Sequence, residues 1–189
     1  MCDDRFKCFY NEAVKEIEGA LDSVDSAHVD KLIEDIYNAE KVFLVGVGRV
    51  MLSLEAFAKR LTHLGISAHC VGDITEPAIS DKDILIVASG SGESIVPVVI
   101  AKKAKEIGVK KIIHIGSNPQ GAVRKYADYM VRIPVRTRLY LEDEIESNQI
   151  MTSLFEQTLL VFGDVIAKMM VSEKGIDLKK LWRFHANLE

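Results

Sequence analysis

The sequence predicts an α/β protein: a parallel sheet of five strands with helices on both faces, in three layers, preceded by an N-terminal helical arm. Three observations predict it. Short apolar runs without polar alternation recur at Lys41–Val45, Ser67–Val71, Ile84–Ala88, Lys111–Ile115 and Tyr129–Ile133, as strands buried on both faces do. Helical patterns separate these runs, and alternating strands and helices make βαβ units whose strands lie parallel. Glycine- and serine-rich turns then follow three of the runs, at Gly46-Val47-Gly48, Ser89-Gly90-Ser91-Gly92-Glu93-Ser94 and Gly116-Ser117-Asn118-Pro119.

Taken in order, the arm covers residues 1–39. Phe9, Val14, Ile17 and Leu21 recur at helical intervals, and Val29, Leu32, Ile33 and Ile36 repeat the pattern. The break falls near Asp22–Ser26, where Asp25 or Ser26 can cap the second helix. The arm is expected to pack on the core or on a partner chain. The βα core covers residues 40–134. Its first helix carries Leu52, Phe57, Ala58 and Leu61 and stops at Gly65; another runs from Ser94 to Ile107 and stops at Gly108; a third reaches Tyr126. Residues 134–148, with Arg136, Arg138, Glu142, Asp143, Glu144 and Glu146, read as a polar loop. The C-terminal helices cover 149–189, a long one over about Gln149–Val171 and a short one over about Asp177–Ala186. The whole chain of 189 residues reads as one domain.

Charge and composition exclude several classes. A net charge of −4 speaks against a general nucleic-acid binder, which needs a basic face. It leaves room for a phosphorylated metabolite, because backbone N–H groups hold phosphate without net positive charge. No apolar run approaches the roughly 18 residues of a membrane span. Met1-Cys2-Asp3-Asp4-Arg5 places acids where a secretory signal carries basic charge, so the expected location is the cytoplasm. The three cysteines, Cys2, Cys8 and Cys70, are odd in number and lack CxxC spacing, which predicts neither a disulfide framework nor a zinc site.

Ligands of open parallel sheets bind beyond the carboxyl ends of the strands, where the three turns lie. In the middle turn, glycines let the backbone approach a ligand, Ser89, Ser91 and Ser94 offer hydroxyls, and the following helix aims its first N–H groups and its dipole at the same point. That is a phosphate cradle without a lysine, although Ser and Gly also make turns and cap helices with no ligand. Gly46-Val47-Gly48 has Met51 where a dinucleotide fingerprint has its third glycine, so NAD binding is not expected. Arg49 follows the first turn and is either a surface arginine or a ligand contact. Glu156, among apolar neighbours, is either a solvated helix residue or a carboxylate able to move a carbon-bound proton. His63 and His114 read as core-edge or surface residues, and no His or acidic cluster completes a metal site.

Val45-Gly46-Val47-Gly48-Arg49, Arg60-Leu61-Thr62-His63-Leu64-Gly65, Pro77-Ala78-Ile79, the Ser89–Ser94 turn, Ser117-Asn118-Pro119, Leu154-Phe155-Glu156 and His185-Ala186-Asn187-Leu188-Glu189 together resemble the sugar isomerase (SIS) domain family. Within it they resemble the 6-phospho-3-hexuloisomerase branch most. The resemblance implies a flavodoxin-like SIS sandwich and a homotetramer, or a dimer, with sites near subunit interfaces. It implies interconversion of 3-hexulose 6-phosphate and fructose 6-phosphate through an enediol, with no metal or organic cofactor. A different phosphosugar, or non-catalytic phosphosugar binding, are the alternatives. Carried over by position, Ser89, Ser91 and Ser94 would hold the phosphate with Ser117 or Asn118 nearby, and Gly48 and Arg49 would contact substrate. Glu156 would be the base and His185 a second acid/base, reaching a neighbouring subunit's site. The chain departs from the family pattern at Val50, where members carry Ser, and at Ile150-Met151-Thr152-Ser153, where members carry Pro-Met-Gly-Thr.

Overall fold

The computed structural model describes residues 4–188; Met1, Cys2, Asp3 and Glu189 lie outside them. The helices α1 (Arg5–Asp22) and α2 (Ser26–Tyr37) form the arm, and Asp25 caps α2 by accepting from the Ala27 amide. The sheet follows as β1 (Val42–Val45), β2 (Ala68–Cys70), β3 (Ile84–Ala88), β4 (Lys111–Gly116) and β5 (Tyr129–Arg132). Its helices are α3 (Arg49–His63), α4 (Ile95–Ile107) and α5 (Ser153–Glu173). All five strands are parallel in the order β2-β1-β3-β4-β5.

Side-chain alternation along the strands sorts the core into two layers. Val42, Leu44, Ile84, Ile86, Ile113 and Ile115 face α2, α3 and α5. Phe43, Val45, Leu85, Val87 and Ile112 face α4, through Ala101 and Ala104, and Val123. The arm divides its labour. Leu32, Ile33 and Ile36 of α2 belong to the first layer, while Phe6 and Phe9 of α1 are exposed and Ala20 is its buried residue.

Several expectations are corrected. The helix expected through Tyr126 is a single 3-10 turn, Ala122–Lys125, because Gly121 before it is locked against the neighbouring loop. The short C-terminal helix lies within its expected span but is an exposed 3-10 helix, Leu178–Phe184. The long helix begins at Ser153, not near residue 149, because Ser147, Asn148 and Gln149 are bonded to Glu16 of α1. Leu52, expected on the inner face of α3, is exposed, and Leu54, Phe57 and Leu61 fill that face. Cys8 is disulfide-bonded, although the odd count and the spacing predicted no disulfide framework, whereas Cys70 is free and buried. Among the described residues, no helix is long and apolar enough to cross a membrane.

Candidate active site

In the order 2-1-3-4-5, the chain winds one way from β1 and the other way from β3, and the crevice opens at their carboxyl ends. Gly48 and the Ser89–Ser94 turn stand there. Gly48 closes the β1 turn with φ +59° and ψ −136°, a conformation that effectively requires glycine, and so delivers Arg49 to the first turn of α3.

The Ser89–Ser94 turn is tied down from one side. The Gly92 amide donates to the Ser89 carbonyl and hydroxyl, each at 3.1 Å. The amides of Ser117 and Asn118 donate to the Gly90 carbonyl at 2.9 and 3.0 Å. The Asn118 side-chain amide donates to the Ser91 carbonyl at 3.0 Å, and the Val123 amide to the Gly92 carbonyl at 3.1 Å. The turns after β3 and β4 are therefore one hydrogen-bonded unit. Gly121 seals it: a Cβ there would lie 2.7 Å from both Gly92 Cα and the Ser91 oxygen. Ser94 is the N-cap of α4 and makes no side-chain cap bond; its hydroxyl accepts from that of Ser89 at 3.4 Å.

His114 lies fully buried beneath this unit. Its Nε2 stands 3.0 Å from the Ser89 carbonyl, which can only accept, so Nε2 carries the proton. Burial lowers its pKa to about 4, so the ring is neutral at pH 7. Its Nδ1 has no hydrogen-bond partner among the described residues. His114, read from the sequence as a core-edge or surface residue, is a core residue; the available signal was its register, since it shares a strand face with Gly116 at the end of β4.

Across the crevice, Glu156 sits in the first turn of α5 with the residue 9% exposed. One carboxylate oxygen pairs with Arg49 Nε. The other accepts from the Thr152 hydroxyl at 2.9 Å. The Ser53 hydroxyl donates to the Glu156 carbonyl at 2.8 Å, fixing α5 on α3. Phe155 borders the serine turn, since a Cβ on Gly90 would meet its ring at 3.5 Å. Thus Gly48, Arg49, Glu156 and the turn bearing Ser89, Ser91 and Ser94 come together. Thr152 and Ser53 were not anticipated, and Thr152 stands where the family pattern carries glycine.

Two expected residues are already engaged and one lies elsewhere. Ser117 is fully buried, and its hydroxyl points to Glu144 at 3.3 Å. Asn118 spends its side chain on Ser91 and on the Gln120 amide. The polar loop is less solvated than its composition predicts. Glu144 is buried and accepts from the Thr137 amide and hydroxyl at 3.0 and 2.7 Å and from the Leu141 amide at 3.1 Å. His185 stacks on His63, with ring centroids 5.6 Å apart. His63 ends the helix that Arg49 begins, so about 21 Å of α3 separates the two positions. His185 lines a groove of about 420 Å³ with Arg60, His63, Asp164, Lys168 and Trp182, at the far end of α3 from Glu156.

Among the described residues, no three His, Cys, Asp or Glu side chains are grouped to hold a metal ion. The family model of the SIS domain matches residues 35–163. A 3-hexulose-6-phosphate isomerase of Bacillus subtilis is 35% identical over 179 residues, covering 94% of this chain and 96% of its own. A protein of the same name from Mycobacterium gastri is 37% identical over 174 residues, covering 92% and 86%. Among solved structures, a hypothetical protein from Methanococcus jannaschii superposes with a TM-score of 0.82 at 32% identity, covering 95% of this chain and 98% of that one. Its crystal structure is described as inferring a molecular function of 3-hexulose-6-phosphate isomerase.

Proposed function

Because this chain belongs to the SIS domain family, we propose that it is a sugar-phosphate isomerase interconverting 3-hexulose 6-phosphate and fructose 6-phosphate. The observation that carries the proposal is a nearly buried carboxylate, Glu156, held by Arg49 and Thr152 across a crevice from a serine-rich helix-capping turn. The phosphate binds at Ser89, Ser91 and Ser94, where the open N-terminus of α4 adds its dipole. Ser117 and Asn118 serve as the scaffold of that turn. Gly48 and Arg49 line the sugar side.

The phosphate is a fixed handle that holds the reacting carbons against the base. Glu156 takes the proton from C2, the hydroxyl-bearing carbon beside the C3 ketone. The C2–H electron pair forms the enediol double bond, and the C3 oxygen gains a proton. Return of the carbon-bound proton to C3 and loss of the C2 hydroxyl proton leave the ketone at C2. A second group must shuttle the oxygen-bound protons. We assign this to His185 of a neighbouring copy, because its own chain holds it at the opposite end of α3. Leu178 and Trp182 beside it are 67% and 71% exposed, as expected of residues that a partner covers. This reading requires a homo-oligomer, a homotetramer or a dimer, and the cytoplasm is the location we propose for it.

The test is a coupled assay in which 3-hexulose 6-phosphate, made in situ from ribulose 5-phosphate and formaldehyde, is converted to fructose 6-phosphate. Turnover is expected. Thermal stabilisation by a sugar phosphate without turnover would replace the isomerase reading with phosphosugar binding alone.

A further inference from the structure

Glu16 lies on α1, outside the crevice, yet its carboxylate organises the segment that leads into α5. Oε2 accepts from the Ser147 hydroxyl at 2.6 Å and from the Gln149 side-chain amide at 3.1 Å. Oε1 accepts from the Asn148 backbone amide at 3.0 Å. One turn earlier, Glu12 accepts from the Asn148 side chain at 2.7 Å. The Ser147 carbonyl is held by Arg136 at 2.7 Å, and its hydroxyl accepts from the Gln149 amide at 3.1 Å. The polar groups of the 147–149 turn are thus fixed on α1, on Arg136 of the adjoining loop, or on one another.

The next two residues are held by less: the Ile150 carbonyl accepts from the Ser153 amide at 3.1 Å. Ile150 and Met151 are 81% and 84% exposed, and Met151 has φ +56°, a costly conformation for a side chain of its size that persists only when its flanks impose it. Thr152 follows at once. Its hydroxyl is the donor to Glu156, and its carbonyl accepts from the amides of Phe155 and Glu156 at 3.0 and 3.3 Å. The direction of the Thr152 hydroxyl is therefore set by a short exposed bridge whose far end is clamped by Glu16.

We propose that Glu16 is a positioning residue for the isomerisation, holding the 147–149 turn so that Thr152 presents its hydroxyl to the Glu156 carboxylate. The inference rests on Glu156 as the base. Charge on Glu16 matters because three donors converge on its two oxygens; a glutamine of the same size turns one of those acceptors into a donor.

The test is a double-mutant cycle in the coupled assay with Glu16→Gln, Thr152→Val and the double variant, alongside Thr152→Ser. Glu16→Gln is expected to lower kcat by roughly ten- to a hundredfold, the scale of remote misplacement of catalytic groups. Its KM should stay near that of the wild type, because the serine turn is untouched. On the Thr152→Val background the same change should cost no more than about twofold, the additivity error of such cycles. Thr152→Ser, which keeps the donor, should retain activity. The inference is overturned if Glu16→Gln leaves kcat unchanged, costs the same with and without Thr152, or raises KM instead. If Glu16→Gln fails to fold, Ser147→Ala removes the 2.6 Å bond from the other side and is read by the same criteria. An inactive wild type removes the isomerase reading and this inference with it; an active wild type with an additive cycle removes this inference alone.

Discussion

Replacing Glu156 with Gln separates chemistry from architecture. The amide keeps the volume of the carboxylate, and its oxygen can still accept from Thr152 or from Arg49. What is lost is the ion pair, whose arginine side chain is 62% exposed; pairs of that exposure contribute about 0–1 kcal/mol. For a chain of this size that is a melting shift of at most about 2–4 °C. Loss of a general base costs about 10²–10⁴ in rate, or roughly 3–5 kcal/mol on the barrier. The two effects therefore stand far apart. The expected variant is folded, melts close to the wild type, binds phosphosugar with KM little changed, and has lost at least about a hundredfold in kcat. Formation of fructose 6-phosphate gives kcat and KM, and a far-ultraviolet melt gives stability. A kcat within about tenfold of the wild type would refute Glu156 as the base. A melting point far below the wild type would make the loss structural and refute the reasoning from exposure.

Gly121→Ala places a methyl group 2.7 Å from two backbone atoms of the serine turn; overpacking of this kind costs about 1–3 kcal/mol and should raise KM for the phosphosugar. An unchanged KM would take that turn out of phosphate binding. Mixing Glu156→Gln with His185→Asn protein after subunit exchange should restore activity, because some sites then combine an intact Glu156 with an intact His185; no recovery would refute a shared site. Asp83 is fully buried, pairs with Lys41 at 3.1 Å and accepts from the Ser80 amide and hydroxyl at 2.7 and 2.8 Å. Burial alone would raise its pKa, but the Ser80 and Lys41 donors outweigh it and hold the carboxyl below its ordinary value. A depressed folded pKa contributes stability that is present at neutral pH and lost as pH falls through that pKa. Asp83→Asn should therefore destabilise by about 3 kcal/mol at pH 7 and remove part of the acid-induced loss; equal melts across pH would contradict this.

The sheet was legible because its strands are buried on both faces, which leaves uninterrupted apolar runs, and because each turn residue stands where a strand must end. The serine turn was legible through its flanking pattern, whereas the residues around Glu156 left it between a solvated helix position and a base, and only the family resemblance singled it out. Other features leave no periodic trace. Glu144 sits in a run of charges that reads as a solvated loop; only the donors of Thr137 and Leu141 turn it inward. The start of α5 was misplaced because Ser147, Asn148 and Gln149 suit a helix entrance by composition, while their partner Glu16 is more than a hundred residues away. The distance between His185 and Glu156 was invisible for a similar reason. It depends on which end of α3 each residue meets, and the sequence does not encode that locally.

The pairing of Arg49 with Glu156 also bears on which molecules the site ignores. Arg49 holds one oxygen of that carboxylate and the Thr152 hydroxyl the other, so a sugar reaches the base only by exchanging those contacts for its own. A phosphorylated sugar anchored at the serine turn stays beside Glu156 long enough to do so. An unphosphorylated ketose lacks the anchor. On that account selectivity against neutral sugars would survive even where their carbon skeletons fit.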